Sequence, residues 1–393
     1  MRFQAENSSN PPCAGLYIHV PFCVRKCGYC DFYSITDLRE MDAFVDALTK
    51  EMHLSTAPAA AFDTIYIGGG TPSLLKHAGL MRILDSARKE FSFTQDVELT
   101  IEVNPGTVSF DSLKGFSAIG VNRVNLGIQS FDDEQLHFLG RVHSAKEARQ
   151  SIDLAQAAGV ENLGLDLMYG LPNQSRKGWL QDLKEAVGCQ PEHISCYMLT
   201  YAKGTPLYGR LKAGSFCALD QAAVSDLFGL TVDFLSHAGY EQYEISNFSR
   251  GDSSRSRHNQ KYWSHNPYIG LGPAAHSFIE PKRWWNHRSL GKYLEAVHHG
   301  MLPVDGSEDL NRAQLMMESI FLSLRTQYGI DIPQFEDRYK VDFLQHFKAP
   351  LEKLRPQGML TVGYDRCALS RQGMIFADAI AGMFADHIVT DSS

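Results

Sequence analysis

The sequence predicts an α/β protein whose first half forms an open, curved, partial (β/α)6 barrel. Two observations carry this prediction. Short β-rich runs alternate with longer amphipathic segments from Gly15 to Thr200, and polar residues collect directly after the β-rich runs. Such alternation is typical of βαβ units and a parallel sheet. Six units are too few for a complete eight-stranded barrel, so the barrel is expected to stay open.

The six predicted strands share short β-rich sequences and lie at Leu16–Val20, Thr64–Ile67, Val97–Val103, Arg123–Ile128, Asn162–Met168 and His193–Leu199. Several segments between them are amphipathic at helical spacing and are predicted as helices over Met41–Leu54, Leu74–Phe91, Ser144–Ala158 and Gly178–Val187. In sheets of this type, functional residues lie at the carboxyl ends of the strands. The loops after the strands are therefore where a ligand site is expected.

After the sixth strand the pattern changes and predicts an α+β extension followed by a small C-terminal module. The extension carries a predicted helix over Leu219–His237 and an aromatic-rich strand region over Tyr240–Phe248, and Leu302–Asp309 resembles a linker. Two or three helices from Asn311 onward precede a predicted hairpin, Gly358–Ser370, in an order that resembles a winged-helix module. The expected divisions are a flexible N-terminus (1–14), the barrel (15–205), the extension (206–300) and the winged-helix-like domain (301–393).

Composition and charge describe an ordinary globular chain of 393 residues, 44% hydrophobic and 21% charged. A net charge of −8 disfavors general nucleic-acid binding, which needs a basic face. Met1–Pro12 lacks the apolar core of a signal peptide, and no apolar run approaches the length of a membrane span, so a cytoplasmic location is expected. Eight cysteines in such a chain do not indicate a disulfide framework.

Three of the cysteines, Cys23, Cys27 and Cys30, follow the first predicted strand with CxxxCxxC spacing. This spacing places three soft thiolates on one short loop, close enough to share one inorganic center. A [4Fe–4S] cluster normally takes four thiolates, so three would leave one iron open to a small molecule. Structural zinc is the alternative, but it usually takes four ligands from paired CxxC motifs, and the other five cysteines are scattered singly.

The segment from Tyr17 to Cys30 closely resembles the radical S-adenosylmethionine (SAM) superfamily, in the branch related to oxygen-independent coproporphyrinogen III dehydrogenase (HemN-like). The resemblance implies that the three cysteines hold a [4Fe–4S] cluster and that SAM coordinates the open iron through its amino and carboxylate groups. It also implies that Tyr17 and Tyr29 lie beside bound SAM. Packing in the barrel core is the other role open to either tyrosine.

A glycine-rich turn and four polar residues complete the SAM site that the resemblance implies. The turn follows the second strand and matches the family's methionine-binding element, with Gly69, Gly70 and Thr71 as the expected contacts. Its glycines would let exposed amides approach a ligand closely. Carboxylates can accept hydrogen bonds from ribose hydroxyls, and a guanidinium can bind a carboxylate. Four polar residues at or beyond later strand ends are the candidates for SAM binding: Glu102, Gln129, Arg141 and Asp166.

A second motif, HNQKYW, resembles the heme-binding HNxxYW motif of the HemW heme chaperones, a branch of the same family. The resemblance implies heme contacts from His258, Asn259, Tyr262 and Trp263. Imidazole is a common axial ligand of heme iron, and aromatic rings offer flat apolar surfaces to a porphyrin. A structural histidine beside core aromatics is the alternative. Three upstream arginines could pair with heme propionates or lie in a solvated loop: Arg250, Arg255 and Arg257.

Two departures from the coproporphyrinogen enzymes favor the chaperone branch. Asp31 and Phe32 follow Cys30 where those enzymes carry a fourth cysteine, and only 22 residues precede Cys23 where those enzymes carry a longer extension. The expected function is binding of heme and its transfer to heme-dependent respiratory enzymes, with the cluster and SAM in a regulatory role. Two alternatives stay open: oxidative decarboxylation of coproporphyrinogen III, and another radical SAM reaction on a tetrapyrrole. Peripheral membrane contact and a homodimer are further expectations.

Overall fold

The computed structural model of the protein describes residues 13–55 and 61–388. The predicted flexible N-terminus, residues 1–14, falls almost entirely outside the described residues, and the other expected domain divisions remain predictions. In the described part of the chain, every helix is too short or too polar to cross a membrane.

Twelve strands of the described chain form one mixed sheet, and its core is parallel. The first six strands lie side by side in chain order and are parallel to one another: β1 (Ala14–Val20), β2 (Phe62–Gly69), β3 (Phe93–Val103), β4 (Arg123–Gln129), β5 (Leu163–Tyr169) and β6 (His193–Met198). The other six strands extend both edges: β7 (Glu241–Gln242), β8 (Asn247–Ser249), β9 (Tyr268–Leu271), β10 (His276–Ile279), β11 (Lys282–Asn286) and β12 (Val304–Asp309). The strand order is β12-β11-β10-β9-β1-β2-β3-β4-β5-β6-β8-β7.

Ten helices belong to the same part of the chain: α1 (Met41–Leu54), α2 (Lys76–Glu90), α3 (Phe110–Ala118), α4 (Asp133–Leu139), α5 (Ala145–Ala157), α6 (Arg176–Gly188), α7 (Pro206–Lys212), α8 (Gln221–His237), α9 (Arg257–Trp263) and α10 (Leu290–His298). The alternation of residues along β1 shows how the sheet and helices divide the core. Leu16, Ile18 and Val20 are fully buried in the main hydrophobic cluster, whereas Tyr17 and His19 contact polar and aromatic side chains inside the barrel. The predicted strand–helix units are therefore confirmed.

The sheet is larger than the six predicted strands because β9 pairs in parallel with β1 and carries three antiparallel strands beyond it. The prediction that Leu302–Asp309 forms a linker is wrong, since Val304–Asp309 is β12 and pairs with β11. β12 lies at the edge of the sheet, and its exposed residues are mostly polar. It consequently lacks the apolar alternation by which a sequence indicates a half-buried strand.

After Leu310 the chain forms six helices and a three-stranded sheet. The helices are α11 (Arg312–Ser323), α12 (Ile332–Tyr339), α13 (Phe343–His346), α14 (Lys348–Leu354), α15 (Arg371–Met374) and α16 (Ala377–Ala385), and the strands are β13 (Ile330–Asp331), β14 (Leu360–Val362) and β15 (Arg366–Leu369). The predicted hairpin is confirmed, because β14 and β15 pair in antiparallel fashion from Leu360↔Leu369 to Val362↔Cys367. β13 pairs with the other edge of β15, which adds a third strand to the hairpin.

Candidate functional site

Predicted site residues lie toward both ends of the barrel. Most of the predicted cluster and SAM residues lie in the loops after β1, β2 and α4 or near the carboxyl ends of β3 and β4, whereas Tyr17 and Asp166 lie in the middle of β1 and β5. We call this region the cluster end. The starts of β1–β3 lie at the opposite end, where α9 carries the HNxxYW motif, and we call this region the α9 end. Because the strands are parallel, all of their carboxyl ends point to the cluster end.

The three cysteines of the CxxxCxxC motif lie half-buried in the loop after β1. The loop is fixed to α7, where the Leu207 N–H donates to the Gly28 carbonyl at 2.8 Å. Burial raises the pKa of Cys30, and negative charge on Cys27 and Cys23 raises it further. Among the described residues, no three His, Cys, Asp or Glu side chains already form a metal-ligand group. Three soft thiols on one loop are nevertheless the donor set of an iron–sulfur cluster, provided that the side chains turn toward one center.

Two of these thiols are connected through polar side chains from other loops at the cluster end. Thr71 Oγ1 donates to Cys23 Sγ at 3.7 Å and accepts from Asn104 Nδ2 at 2.8 Å. Asn104 Oδ1 accepts from Arg141 Nη2 at 2.7 Å, and Arg141 Nη1 donates to Cys27 Sγ at 3.6 Å. These contacts place Cys23 and Cys27 in one hydrogen-bonded network with Thr71, Asn104 and Arg141.

The glycine-rich turn packs directly against the backbone of the cysteine loop. Gly69 has a φ of 108°, a conformation that favors glycine, and a Cβ on Gly70 would lie only 2.5 Å from the Phe22 carbonyl oxygen. The Gly70 N–H donates to Val20 O at 2.8 Å, and the Thr71 N–H donates to Phe22 O at 2.7 Å. These two amides are thus already bonded, contrary to the expectation that the turn exposes free amides to a ligand.

Glu102 lies deeper in the barrel and is connected to the turn. Its Oε1 accepts a hydrogen bond from the Tyr66 hydroxyl at 2.7 Å, and its Oε2 accepts from the Gly69 N–H at 3.1 Å. Burial raises the pKa of Glu102 to about 7, and the nearby Asp166 carboxylate also raises it. The Tyr17 ring stacks on Tyr66 with centroids 6.2 Å apart. Tyr17 and Glu102, both predicted from the sequence, therefore meet through Tyr66.

The remaining predicted SAM residues show features that are common at functional sites. Burial raises the pKa of Asp166 to about 6, and its Oδ1 has no hydrogen-bond partner within the described residues. Gln129 is buried and has a φ of 67°, which is uncommon for a residue with a side chain. Burial raises the pKa of Tyr29, whereas the adjacent Arg141 guanidinium lowers it. These three residues lie in the same region as the cysteine loop.

α9 closes the other end of the barrel and is tied to β3 and to the residue that precedes β1. Glu98 of β3 accepts hydrogen bonds from the backbone N–H groups of Arg257 and His258, both at 3.0 Å. Its carboxylate thereby satisfies two donors at the start of the helix that have no partner within it. Lys261 Nζ donates to the Cys13 carbonyl, just before β1, at 2.7 Å. These contacts fix the orientation of α9 relative to the barrel.

His258 is buried inside the barrel, where it is only 1% exposed. Its Nδ1 lies 2.8 Å from Thr64 Oγ1 and its Nε2 lies 2.9 Å from the Tyr262 hydroxyl. The imidazole also stacks on Tyr66, with centroids 5.2 Å apart. Burial lowers the pKa of His258 to about 3, so the ring stays neutral at physiological pH. Both ring nitrogens are engaged, and neither is free to bind iron in this structure.

The four residues predicted to contact heme do not converge on one surface. His258 and Tyr262 are four positions apart and share the face of α9 that packs into the barrel. Trp263 is rotated by roughly 100° from Tyr262 and lines a cleft of ≈ 910 Å³ outside the barrel. Asn259 is half-buried at the start of the helix, where its N–H donates to Ser256 Oγ. The motif therefore presents two different faces to two different environments.

The arginines upstream of α9 have partners of their own. Arg255 and Arg257 pair with acidic residues at 2.8 and 3.2 Å respectively. Arg250 lies over the Tyr240 ring at 5.1 Å. A role in binding propionates would require each of the first two to exchange a protein carboxylate for a ligand carboxylate.

Three curated relatives resemble the chain along most of its length. The heme chaperone HemW of Mycobacterium tuberculosis is 34% identical over 372 residues, which are 93% of each chain. The HemW of Bacillus subtilis is 32% identical over 95% of this chain and 99% of that protein. The HemW of Escherichia coli is 40% identical over 68% of this chain and 71% of that protein. The chain belongs to the HemW family.

Family models and a solved structure agree with this membership. The radical SAM superfamily model matches residues 17–186 of the chain, and the HemN C-terminal domain model matches residues 310–376. Radical SAM membership implies SAM and a [4Fe–4S] cluster. The structure of coproporphyrinogen III oxidase (HemN) from Escherichia coli, a radical SAM enzyme, superimposes with a TM-score of 0.83 at 23% identity, over 95% of this chain and 90% of that chain. This likeness confirms the predicted α/β barrel with a C-terminal module.

Two residues that connect predicted site residues in the barrel do not appear among those predictions. Asn104 connects Thr71 to Arg141, and Tyr66 connects Tyr17 to Glu102. A signal for each was present in the sequence. Asn104 directly follows the third predicted strand, and Tyr66 occupies the same position in the second strand that Tyr17 occupies in the first, as their register pairing shows.

Proposed function

We propose that this HemW protein binds heme and transfers it to heme-dependent acceptors such as respiratory enzymes, while the cluster and SAM regulate the process. The supporting observation is the separation of the two ends of the barrel. The cysteine loop follows Val20 at the end of β1, whereas the His258 ring packs against Gly15 near its start. Five strand residues span roughly 16 Å. Heme at the α9 end would lie away from the cluster, as suits a carrier rather than an enzyme acting on heme.

The proposed cluster ligands are Cys23, Cys27 and Cys30, and Arg141 would donate a hydrogen bond to Cys27 Sγ. A bound cluster with an open iron supplies one-electron chemistry to SAM. Replacing all three cysteines with alanine is expected to abolish cluster binding. Anaerobic reconstitution, followed by iron and sulfide analysis and visible absorption, compares this variant with the unmodified protein. A variant that still assembles the cluster would contradict the assignment.

The proposed SAM site uses the residues that gather at the cluster end: Tyr17, Tyr29, Gly69, Gly70, Thr71, Glu102, Gln129, Arg141 and Asp166. Glu102 and Asp166 are acceptors suited to ribose hydroxyls once they are ionized. Burial raises the pKa of both groups. A ligand that donates hydrogen bonds to these carboxylates would lower the pKa again and favor the charged forms. The tyrosines would supply aromatic walls.

The HNxxYW motif of α9 offers four candidate heme contacts: His258, Asn259, Tyr262 and Trp263. His258 could bind iron only after leaving Thr64 and Tyr262, because those residues occupy both ring nitrogens. His258→Ala tests this role directly. If the variant binds and transfers heme like the unmodified protein, His258 is not the ligand.

Heme titration and transfer test the function itself. The purified protein with a reconstituted cluster is titrated anaerobically with heme and then mixed with the apo form of a heme-dependent respiratory enzyme. We expect saturable heme binding, seen as a Soret band, and recovery of the acceptor's activity. Absence of saturable binding, or binding without transfer, would contradict the proposed chaperone function.

The same preparation separates the chaperone from the enzymes that share its fold. With SAM, a reductant and coproporphyrinogen III, only a coproporphyrinogen dehydrogenase forms protoporphyrinogen IX. Formation of S-adenosylhomocysteine or deoxyadenosine, coupled to loss of the heme spectrum, would indicate a radical SAM enzyme that acts on heme. Peripheral membrane contact and a homodimer belong to the same proposal, and vesicle sedimentation and light scattering test them.

A further inference from the structure

The outer side of α9 borders a cleft between the barrel and the C-terminal helices, which we call the α9 cleft. Its volume is ≈ 910 Å³. Trp263 lines it from α9, Phe278 lines it from β10, and Tyr328 and Arg366 line it from the C-terminal part of the chain. Cavities of this size hold cofactor-sized ligands in many proteins. It is also the cavity that the HNxxYW motif reaches without any rearrangement of His258.

We propose that the α9 cleft is the heme site of this protein and that His265, rather than His258, is the iron ligand. The inference rests on the proposed heme-chaperone function and names the site of that cargo. The two halves of the HNxxYW motif then have different roles. His258 and Tyr262 anchor the helix inside the barrel, and Trp263 forms part of the wall of the cleft.

His265 has two features of a metal-binding histidine, a carboxylate beside one ring nitrogen and no partner for the other, but both nitrogens are buried and the ring must turn before either reaches the cleft. It lines the α9 cleft, its side chain is 6% exposed, and within the described residues neither ring nitrogen makes an aligned hydrogen bond. Nε2 lies 3.2 Å from Glu318 Oε2. A metal-binding imidazole usually directs one nitrogen at a carboxylate and leaves the other for the metal. Its backbone φ of 55° belongs to the end of α9, where the His265 N–H donates to Tyr262 O and the Asn266 N–H donates to Lys261 O.

The cleft combines aromatic residues with polar ones, among them Asp252, Glu280 and Asp331, and its aromatic side offers surfaces for a flat macrocycle. The His265 imidazole stacks on Phe278, with centroids 4.3 Å apart and planes 8° from parallel. Turning the imidazole toward iron would exchange this contact for one with the porphyrin. The Trp263 indole also lines the cleft, and its buried Nε1 has no hydrogen-bond partner in the described chain. Tyr328 adds a third aromatic ring to the wall.

Arginines on the C-terminal wall could bind the two heme propionates. Arg366 lies 3.8 Å from Asp331, at a pair that is nearly half exposed, and Arg338 pairs with Glu280 at a partly exposed position. Ion pairs at such positions contribute little because water screens them. A propionate can therefore replace the protein carboxylate, and a bidentate arginine contact would favor that exchange.

Heme and metal-free protoporphyrin IX together test the site. Both are titrated into the purified full-length protein, into His265→Ala and into the double variant Arg338→Ala/Arg366→Ala. His346→Ala is the matched control, because His346 also packs on an aromatic ring, Phe347, but lies outside the cleft. We expect His265→Ala to weaken heme binding by at least about tenfold and to shift the Soret band. Protoporphyrin binding should not change in His265→Ala, whereas the arginine variant should weaken both ligands.

Added imidazole keeps the test decisive if the alanine variant is less stable. Imidazole is expected to restore the Soret position in His265→Ala, which a merely structural defect would not allow. Unchanged heme affinity and spectrum in His265→Ala would overturn the proposal, as would equal loss of both ligands without rescue. If the unmodified protein binds no heme, the proposed function fails instead. If His258→Ala abolishes binding while both cleft variants retain it, the function stands and the site is wrong.

Discussion

Glu102 is surrounded by hydrogen-bond donors, yet burial holds its pKa near 7. A pKa raised above the ordinary value of a carboxyl means that the group is neutral below pH 7 and gains its full acceptor capacity only above it. If Glu102 accepts hydrogen bonds from SAM, affinity for SAM should fall by roughly tenfold at pH 6 relative to pH 8. Equilibrium binding to the reconstituted protein across this range measures the effect.

Glu102→Gln provides the control, because an amide does not titrate in this range. The pH dependence of SAM affinity in this variant therefore reports only the titration of SAM itself and of protein groups other than Glu102. Parallel profiles for the unmodified protein and the variant would rule out Glu102 as the titrating acceptor. The same raised pKa also affects folding. Glu102 contributes fully to the free energy of unfolding at pH values below the pKa that this glutamate has in the unfolded chain. The contribution is lost as the pH rises through the folded pKa of about 7.

A second prediction concerns the buried His258. Its removal leaves the Thr64 and Tyr262 hydroxyls without their partner and opens a cavity beside Tyr66. Each buried polar group left unsatisfied costs about 1–3 kcal/mol, so His258→Ala should lower the free energy of unfolding by about 2–4 kcal/mol. Denaturant unfolding measures this loss. The exposed His299→Ala serves as the control, and an equally small effect of both variants would contradict a structural role for His258.

At the scale of elements, Glu51 joins α1 to three other segments. It accepts hydrogen bonds from the Gly272 N–H at 2.9 Å, from Asn286 Nδ2 at 2.6 Å and from the Tyr293 hydroxyl at 2.6 Å. Glu51→Ala leaves the Gly272 N–H and the Tyr293 hydroxyl unpaired and removes one of the two hydrogen bonds of Asn286 Nδ2, so it should destabilize the protein by about 3 kcal/mol. Thermal or denaturant unfolding is compared with that of Glu161→Ala, an exposed glutamate. Similar losses of stability in the two variants would contradict the role of Glu51 in joining α1 to these segments.

Hydrophobic periodicity predicts some elements of this fold but not the orientation of α9. The positions of β1–β6 and their loops followed from hydrophobic periodicity, because a strand buried against helices needs apolar residues at regular spacing. The face that α9 turns toward the barrel did not follow, since its orientation depends on Glu98 and on the carbonyl of Cys13, both far away in the sequence. For that reason the HNxxYW residues were predicted as one group, although the fold separates them.

On the scale of the whole molecule, Arg255 connects the barrel extension to the C-terminal module. Its side chain is 6% exposed and donates to the Tyr328 hydroxyl at 2.6 Å and to Glu241 at 3.1 Å. Arg255→Ala should reduce the free energy that holds the C-terminal module on the barrel extension by about 2 kcal/mol. Hydrogen exchange is expected to accelerate in residues 312–385 but not in β1–β6. Arg250→Ala, an exposed upstream arginine, is the control, and equal protection in both variants would contradict the prediction.

The closure of the barrel by α9 has a thermodynamic consequence for the whole protein. His258 packs on Tyr66, and the Tyr66 hydroxyl in turn bonds to Glu102, so the same short chain of contacts touches both ends of the barrel. Free energy exchanged between two sites is reciprocal. Whatever factor SAM applies to the affinity for a ligand at α9, that ligand must apply to the affinity for SAM. If heme binds at α9 as proposed, SAM and heme would change each other's affinity by one common factor, which titration of either ligand in the presence of the other measures.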